Sequence, residues 1–506
     1  MTDATALLRA YAAIRLTRLR WMDPVRAQRA QLRRLLTVGR HSRFGKAHGF
    51  AHIDSVAAYQ ARVPLRTYED FWKEWWQPAF PVLRDVTWPG HIPFLAESSG
   101  TSTGVTKYIP VSYGMVRANR QAALDLLCWH LRARPYSRLM GGRGFMLGGS
   151  TDLRTIAPGV QAGDLSGIAA VTVPLWTRPN IFPPRDVALM TDWPAKIACM
   201  AELANGLDIR SISGTPSWML LLFDRLAAGH PDRPRQLAAH FPHLELVVHG
   251  GVGFTPYRSR FAGWLEGSHA ETREVYPASE GFIACADQGP DDGLRLSVDT
   301  GLFHEFVPVT ELGSASPRRH WIGNAEPGIE YALAVTSNAG LWSYLLGDTV
   351  TLLSRNPPRL RFTGRTSYTL SAFGEHLTGH ELDQAVATAA AAIGVQIMDY
   401  AVAAEFPDPS DPRGGHVFFV EPAEPAKLDS ASKFADVLDS TLARLNADYR
   451  VHRTGMLAPR VHLLPPGSFA AWMETRGKLG GQHKVPRVLN SPAMLESLRR
   501  HVPPTS

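Results

Sequence analysis

Positions 98–107 read Ser-Ser-Gly-Thr-Ser-Thr-Gly-Val-Thr-Lys, directly after the apolar run His91–Leu95. Glycines let backbone N–H groups approach a phosphate, hydroxyls donate to its oxygens, and Lys107 supplies charge. The stretch is not a Walker-type P-loop, because Val105 stands where that motif needs its second glycine. A solvated polar turn is the bland alternative. Gly100-Thr101-Ser102-Thr103-Gly104 also fits Gly-x-Ser-x-Gly, the elbow that would make Ser102 the nucleophile of a serine hydrolase. That elbow must pass directly into a helix, whereas Lys107-Tyr108-Ile109-Pro110 delays any helix until after the proline.

Three other segments carry chemistry. Tyr276-Pro-Ala-Ser279-Glu280-Gly281 sets an aromatic four residues before a carboxylate, which suits stacking on a base and holding Mg²⁺ on a nucleotide. A core tyrosine and a surface turn explain it equally well. Tyr344-Leu-Leu-Gly-Asp348 places an acid inside an apolar strand, where it needs donors; a ribose diol or a backbone cap would serve. The glycine-rich basic stretch Arg476–Arg487 holds Lys484, which could reach an anion from another domain, or be a basic tail. His376 and His380 have the spacing of a zinc helix but lack its glutamate and a third ligand, so no metal role is assigned to them.

The elements that must hold these groups alternate along the chain. Residues 1–45 read as helical, with Leu7, Leu8, Tyr11, Ile14 and Leu32, Leu35, Leu36 at a 3.6 period. Val116–Arg132 reads as a helix with Ala122, Leu126 and Trp129 on one stripe. Ser213-Gly-Thr-Pro216 reads as a hydroxyl cap with proline at the first helical position, ahead of Met219, Leu220, Phe223 and Leu226. Leu244–Val248, Glu274–Tyr276, Tyr331–Thr336 and Leu341–Leu353 read as strands, the last two joined by an Asn338-Ala339-Gly340 turn. After Arg365 the texture changes: Thr366–Ala372 and Val417–Val420 are strand-like, Gly379–Ile393 and Asp429–Leu445 helical, and Phe406–Gly415 a loop. This predicts an α/β protein with two domains, 1–364 and 365–506.

The chain has 506 residues, 45% hydrophobic and 20% charged, enough apolar material for a sizeable core and too much for a disordered chain. Its 43 glycines and 38 prolines follow no period, and no repeat appears. The formal charge of +7 suits an anionic ligand, but no Lys/Arg block of nucleic-acid type occurs, and the arginines read as scattered solvated faces. Three distant cysteines offer neither a disulfide framework nor a metal site and point to a reducing compartment. The first twenty-one residues are broken by arginines and carry no cleavage signal, and no run of eighteen apolar residues occurs. The expectation is a cytoplasmic protein without nucleic-acid or membrane partners, a monomer or weak oligomer.

Taken in order, the motifs resemble the auxin-responsive Gretchen Hagen acyl acid–amido synthetases of the adenylate-forming, firefly-luciferase-like superfamily. Ser98–Ser102 with Lys107 looks like the phosphate loop, and Ser213–Trp218 like the segment before the central helix. Tyr276–Gly281 looks like the second nucleotide motif and Tyr344–Asp348 like the ribose motif. Phe362-Thr-Gly-Arg365 through Gly374-Glu375 resembles the hinge, and Lys484-Val-Pro-Arg487 the C-terminal lysine motif. Leu346, Gly281 and Phe373-Gly374-Glu375 depart from the plant pattern and look like a bacterial-type member. The resemblance implies a large N-terminal domain of mixed sheets flanked by helices, plus a small mobile α+β C-terminal domain. It implies adenylation of a small carboxylic acid by ATP and Mg²⁺, then transfer of the acyl group to an amine, usually an amino acid. A coenzyme A ligase of the same superfamily, a serine hydrolase using Ser102, and a nucleotide-binding scaffold without turnover are the alternatives. Carried over by motif, Ser98, Ser99, Gly100, Thr101, Ser102 and Thr103 bind phosphates with help from Lys107. Tyr276 stacks on adenine, Ser279 joins the nucleotide contacts, Asp348 holds the ribose, and Glu280 takes Mg²⁺. Arg365 stands at the hinge among the nucleotide contacts, and Lys484 swings in to neutralise charge during adenylation.

Overall fold

The computed structural model describes all residues except 1–2, 100–105, 149–152, 174, 191, 290–291, 367–376, 406–413, 426–429, 447–448, 451–452, 454–455, 478–483, 490–491 and 502–506, and of Ser98, Ser99, Leu175, Trp176, Trp193 and Pro256 the backbone alone.

Two helices open the chain, α1 (Thr5–Trp21) and α2 (Pro24–Gly39). Asp23 caps α2, accepting from the Val25 N–H at 2.9 Å and the Arg26 N–H at 3.2 Å, with Pro24 at the first position. α2 buries the expected Leu32, Leu35 and Leu36. α1 does not bury the row at Leu7 and Ile14; it packs Ala12, Leu16 and Leu19 against the helix Tyr113–Ala133. That long helix, capped by Ser112, buries Ala122, Leu126 and Trp129 as its periodicity predicts.

Strands β1 (Phe94–Ser99), β2 (Thr106–Val111), β3 (Arg143–Met146), β4 (Arg154–Ala157), β5 (Val160–Gly163), β6 (Ile181–Phe182), β7 (Ile209–Gly214), β8 (Leu246–Gly250), β9 (Glu271–Ala278), β10 (Gly281–Cys285) and β11 (Leu294–Leu296) are followed by β12 (Leu302–Pro308), β13 (His320–Trp321), β14 (Glu330–Ser337), β15 (Tyr344–Arg355) and β16 (Pro358–Arg365). A small sheet runs β2-β1-β5-β4. A long one runs β13-β12-β14-β15-β16-β11-β10-β9-β8-β7-β3-β6. Its β6-β3-β7-β8-β9 half is parallel and the remainder antiparallel. Helix Pro216–Gly229 covers the parallel half with Met219, Leu220, Phe223 and Leu226. Thr215 stands at its N-cap but makes no side-chain cap bond, so the proline alone does what the hydroxyl was expected to share.

The C-terminal half has its own sheet, β17 (Ile397–Glu405), β18 (Gly415–Pro422) and β19 (Arg460–Leu463), in the order β17-β18-β19. Alternation assigns its faces: Tyr400, Val402, Phe418 and Val420 pack on helices Gly379–Ile393 and Ser430–Leu445, while Ala401, Ala403, Val417 and Phe419 pack on Ser468–Thr475 and Pro492–Arg499. Thr378 and Glu381 form a capping box at the start of Gly379–Ile393. The chain passes between the halves where Gly364 lies against Gly379. A Cβ on Gly364 would stand 3.0 Å from the Gly379 nitrogen, and its φ of +149° suits glycine. The expected strand Thr366–Ala372 and the Phe373–Glu375 motif lie almost wholly outside the described residues, as do His376 and most of the Phe406–Gly415 loop.

Candidate active site

The switch from parallel to antiparallel pairing falls at β9, and the motif residues collect there. β9 delivers Tyr276, and the short turn to β10 holds Ser279 and Glu280. β15 and β16 pair so that Asp348 lies opposite Arg365. The Arg365 Nε is 3.0 Å from Asp348 Oδ1, and the Tyr276 hydroxyl donates to Asp348 Oδ2 at 2.6 Å. The Tyr276 ring meets Phe362 edge to face at 5.4 Å. Asp348 is buried in this frame, its Oδ1 held by the Arg365 ion pair without a well-aligned hydrogen bond. A carboxylate oxygen with a lone pair left over is a ready acceptor for a ligand hydroxyl.

Glu280 shares a hydrogen bond with the buried Tyr344 hydroxyl. Burial, reinforced by the Asp348 charge, pushes the Glu280 carboxyl up to about 6. A divalent cation would reverse that penalty, so the carboxyl of Glu280 suits Mg²⁺; among the described residues no cluster of three or more metal-ligating side chains is present. Ser279 is buried in the same turn.

Lys484 arrives from the C-terminal half. Its Nζ donates to the Gly251 carbonyl, just past the end of β8. Gly251 has φ +86°, and a Cβ there would stand 2.5 Å from the Lys484 Nζ. The lysine is exposed to the cleft, yet desolvation by the surrounding protein, with the Arg365 charge, brings its ammonium down to about 8 against the pull of Asp348. The structure therefore brings Tyr276, Glu280, Asp348, Arg365 and Lys484 to one cleft between the halves.

Lys107 lies on β2, 3.5 Å from Glu69 and 5.1 Å from the Tyr68 ring centre. Tyr68 and Glu69 lie close enough to Tyr344 for their charges to act on it, which puts Lys107 at the same side of the cleft. β1 and β2 pair antiparallel with Ser98 opposite Lys107 and Ser99 opposite Thr106, so the Ser/Thr/Gly stretch joins two strands. Gly100, Thr101, Ser102 and Thr103 lie outside the described residues. The segment continues as β2, and the next helix begins only at Tyr113, which is not the strand-to-helix passage a hydrolase elbow requires.

Sequence reasoning missed the groups that seat Lys484. Three residues on, Arg487 is buried; it donates to Asp399, to the Tyr400 carbonyl at 2.9 Å and to the Tyr257 hydroxyl at 3.0 Å, and its guanidinium lies 4.4 Å from the Tyr400 ring centre. Tyr257 belongs to the N-terminal half, so this cluster ties the halves together beside the lysine. Its only sequence signal was the arginine ending the lysine motif.

The family models for the GH3 N-terminal, central and C-terminal domains match residues 18–204, 296–365 and 380–493. The chain is 31% identical over 291 residues to indole-3-acetic acid-amido synthetase GH3.8 of Oryza sativa subsp. indica, covering 51% of this chain and 45% of that protein. It is 28% identical over 226 residues to jasmonoyl–L-amino acid synthetase JAR4 of Nicotiana attenuata, covering 42% and 38%. The chain spans about half the length of the curated relatives it matches. Among solved structures it overlays GH3.15 acyl acid amido synthetase in complex with 2,4-DB at a TM-score of 0.79, with 17% identity, covering 98% of this chain and 96% of that one. It overlays 2-hydroxyisobutyryl-CoA ligase in the postadenylation state at 0.64, with 16% identity and 96% and 94% coverage. The score falls to 0.50 for the same ligase in its thioesterification state. The fold is the one these amido synthetase and acyl-CoA ligase structures share.

Proposed function

Because the chain belongs to the GH3 family, we propose that it is a ligase that adenylates a small carboxylic acid with ATP and passes the acyl group to an amine, an amino acid above all. The observation that carries this reading is Lys484, seated on the Gly251 carbonyl, lying near enough to the Tyr276–Asp348–Arg365 frame for the Arg365 and Asp348 charges to act on it.

In the first half-reaction a substrate carboxylate oxygen attacks the α-phosphorus of ATP and pyrophosphate leaves. The obstacle is gathering one carboxylate and a triphosphate, all anionic, at bonding distance. The Lys484 ammonium offsets charge that grows on the transferring phosphate. Asp348 accepts from the ribose, and Arg365 holds its carboxylate in place. Tyr276 packs by the base, Ser279 adds a contact from its turn, and Ser98–Thr103 with Lys107 hold the phosphates. Mg²⁺, held by Glu280, supplies charge neutralisation at the phosphate oxygens when bound. In the second half-reaction the amine attacks the acyl carbon, a proton leaves its nitrogen, and AMP departs. On this reading the N-terminal domain ends at 364 and the C-terminal domain begins at 365, the last residue of the central family match and fifteen residues ahead of the C-terminal one; rotation there would exchange the surroundings of the acyl carbon between steps. The free cysteines suit a reducing, cytoplasmic compartment; the enzyme is read as a bacterial-type member whose site serves small molecules, in a monomer or weak oligomer.

A coenzyme A ligase is the second reading, favoured by the likeness to 2-hydroxyisobutyryl-CoA ligase. Incubation with ATP, Mg²⁺, a panel of aryl and alkyl acids, and either mixed amino acids or coenzyme A separates them by product mass. AMP with an amide supports the proposal, a thioester supports the second reading, and no AMP with any acid removes both.

A further inference from the structure

The N-terminal helix α1 has two apolar faces, and the fold uses one. Ala12, Leu16 and Leu19 are buried on the helix Tyr113–Ala133. On the opposite side Leu7, Ile14 and Trp21 are 77%, 76% and 78% exposed. Their seven-residue spacing puts them in one row, and the exposed Ala6, Ala10, Ala13 and Thr17 widen it to an uncharged band of roughly 100°. Arginines border the band. Arg18 lies along one edge, while Arg9 and Arg20 on the other line a groove of about 400 Å³ with Arg132. Arg20 and Arg132 continue into a second groove of about 900 Å³, where Arg134 and Arg295 are paired with Glu271 and Asp287 and the arginines still outnumber the acids.

The net positive charge falls in the two opening helices. Residues 4–40 hold nine arginines, four of them on α1, and one acid, Asp23, an excess of +8 in a chain whose total is +7. Arginines occur throughout the remaining chain, but acids there balance them to near neutrality. Arg15 alone among the nine is buried, between Asp125 and Asp299 at 2.7 Å each. An apolar band wide enough to enter a lipid headgroup layer, edged by arginines and carrying an exposed tryptophan, is the pattern of an interfacial helix. A protein surface would have to supply both a matching apolar strip and carboxylates along both edges; a second copy brings only further arginines. We propose that α1 with the adjoining basic grooves docks the protein on an anionic lipid surface, as a peripheral attachment and not a span. Among the described residues no helix is long and apolar enough to cross a membrane. The active-site cleft is built from other elements, so attachment leaves the adenylation residues in place.

The test is sedimentation of the full chain with vesicles of phosphatidylcholine alone or with one-third phosphatidylglycerol, at low and high salt. Binding to the anionic vesicles only, lost at high salt, is expected. The Ile14→Ser/Trp21→Ser variant should lose most of that binding. Arg18→Glu and Arg20→Glu should each weaken it by about fivefold or more. These exposed positions lie off the core, and circular dichroism with acid-dependent AMP release should match the parent. No preference for anionic vesicles, or binding unchanged in the serine variant, overturns the proposal. A dimer in sedimentation velocity that the serine variant converts to monomer overturns it too, assigning the band to a second copy.

Discussion

The Tyr276 hydroxyl and the Asp348 carboxylate, seventy-two positions apart, meet at 2.6 Å in the buried frame of the cleft. The tyrosine thus fixes the carboxylate as well as offering a ring. Tyr276→Phe keeps the ring and strips one donor from a buried carboxylate, a loss of about 1–3 kcal/mol. The expected outcome is a KM for ATP raised roughly 5- to 150-fold with the acid's KM little changed, read from initial rates. Equal KM values for ATP in parent and variant would disconnect the pair from the nucleotide.

Lys484 titrates near 8, so its charge is present below that pH and fades above it. Adenylation should therefore decline as pH rises through about 8. Lys484→Ala should show no such limb, while Lys484→Arg keeps its charge to higher pH. Rate–pH profiles of AMP release on the three proteins check this.

Glu280 sits near 6. Held Mg²⁺ requires the ionised form, so at limiting Mg²⁺ activity should rise as pH passes 6. Glu280→Gln should abolish that limb and raise the Mg²⁺ concentration needed for half-maximal rate by about tenfold, the equivalent of about 1.4 kcal/mol. A magnesium titration at two pH values decides it.

A buried ion network gives a stability prediction. His130 bonds Glu271 at 2.7 Å and lies 3.9 Å from Glu245, and Arg210 and Arg273 complete the set. Burial alone would raise both glutamates, but hydrogen bonds led by His130 outweigh it and bring each to about 2. A depressed carboxylate stabilises the fold above its ordinary 4.5, and that stability is lost as pH falls from 4.5 towards 2. His130 is shifted upward by the same partners against its own burial, so its contribution is full below 6.5 and fades as pH climbs through its raised value. The melting temperature should fall steeply below pH 4.5. His130→Ala should cost about 3–5 kcal/mol at neutral pH, because it leaves buried carboxylates short of a partner.

Much of this was legible in the chain because local rules and the fold agree. The alanine-rich helix Gly379–Ile393 carries its own capping box, and the leucines of α2 repeat on one stripe only. α1 was ambiguous: Leu7 and Ile14 keep the helical period as well as Leu16 and Leu19, and periodicity alone cannot say which row meets a neighbour. Asp348 could be marked as an acid in need of donors, but its partner could not. The Asp348–Arg365 pairing keeps the register set at the Arg355–Pro358 end of the β15–β16 hairpin only because two shifts along it offset each other, and those shifts leave no compositional trace. Tyr257, Asp399 and Glu69 lie far in sequence from the groups they serve and carry no motif, so only tertiary structure reveals them.

Exchange of labelled pyrophosphate into ATP, with and without added carboxylic acids, tests the central claim most directly, because it reports adenylation without needing the acceptor amine. The account predicts exchange that depends on a carboxylic acid and falls by about a hundredfold or more in Lys484→Ala, the scale of removing one preorganised charge from a reacting centre. Exchange that is as fast in Lys484→Ala as in the parent, or none with any acid across the panel, would contradict it.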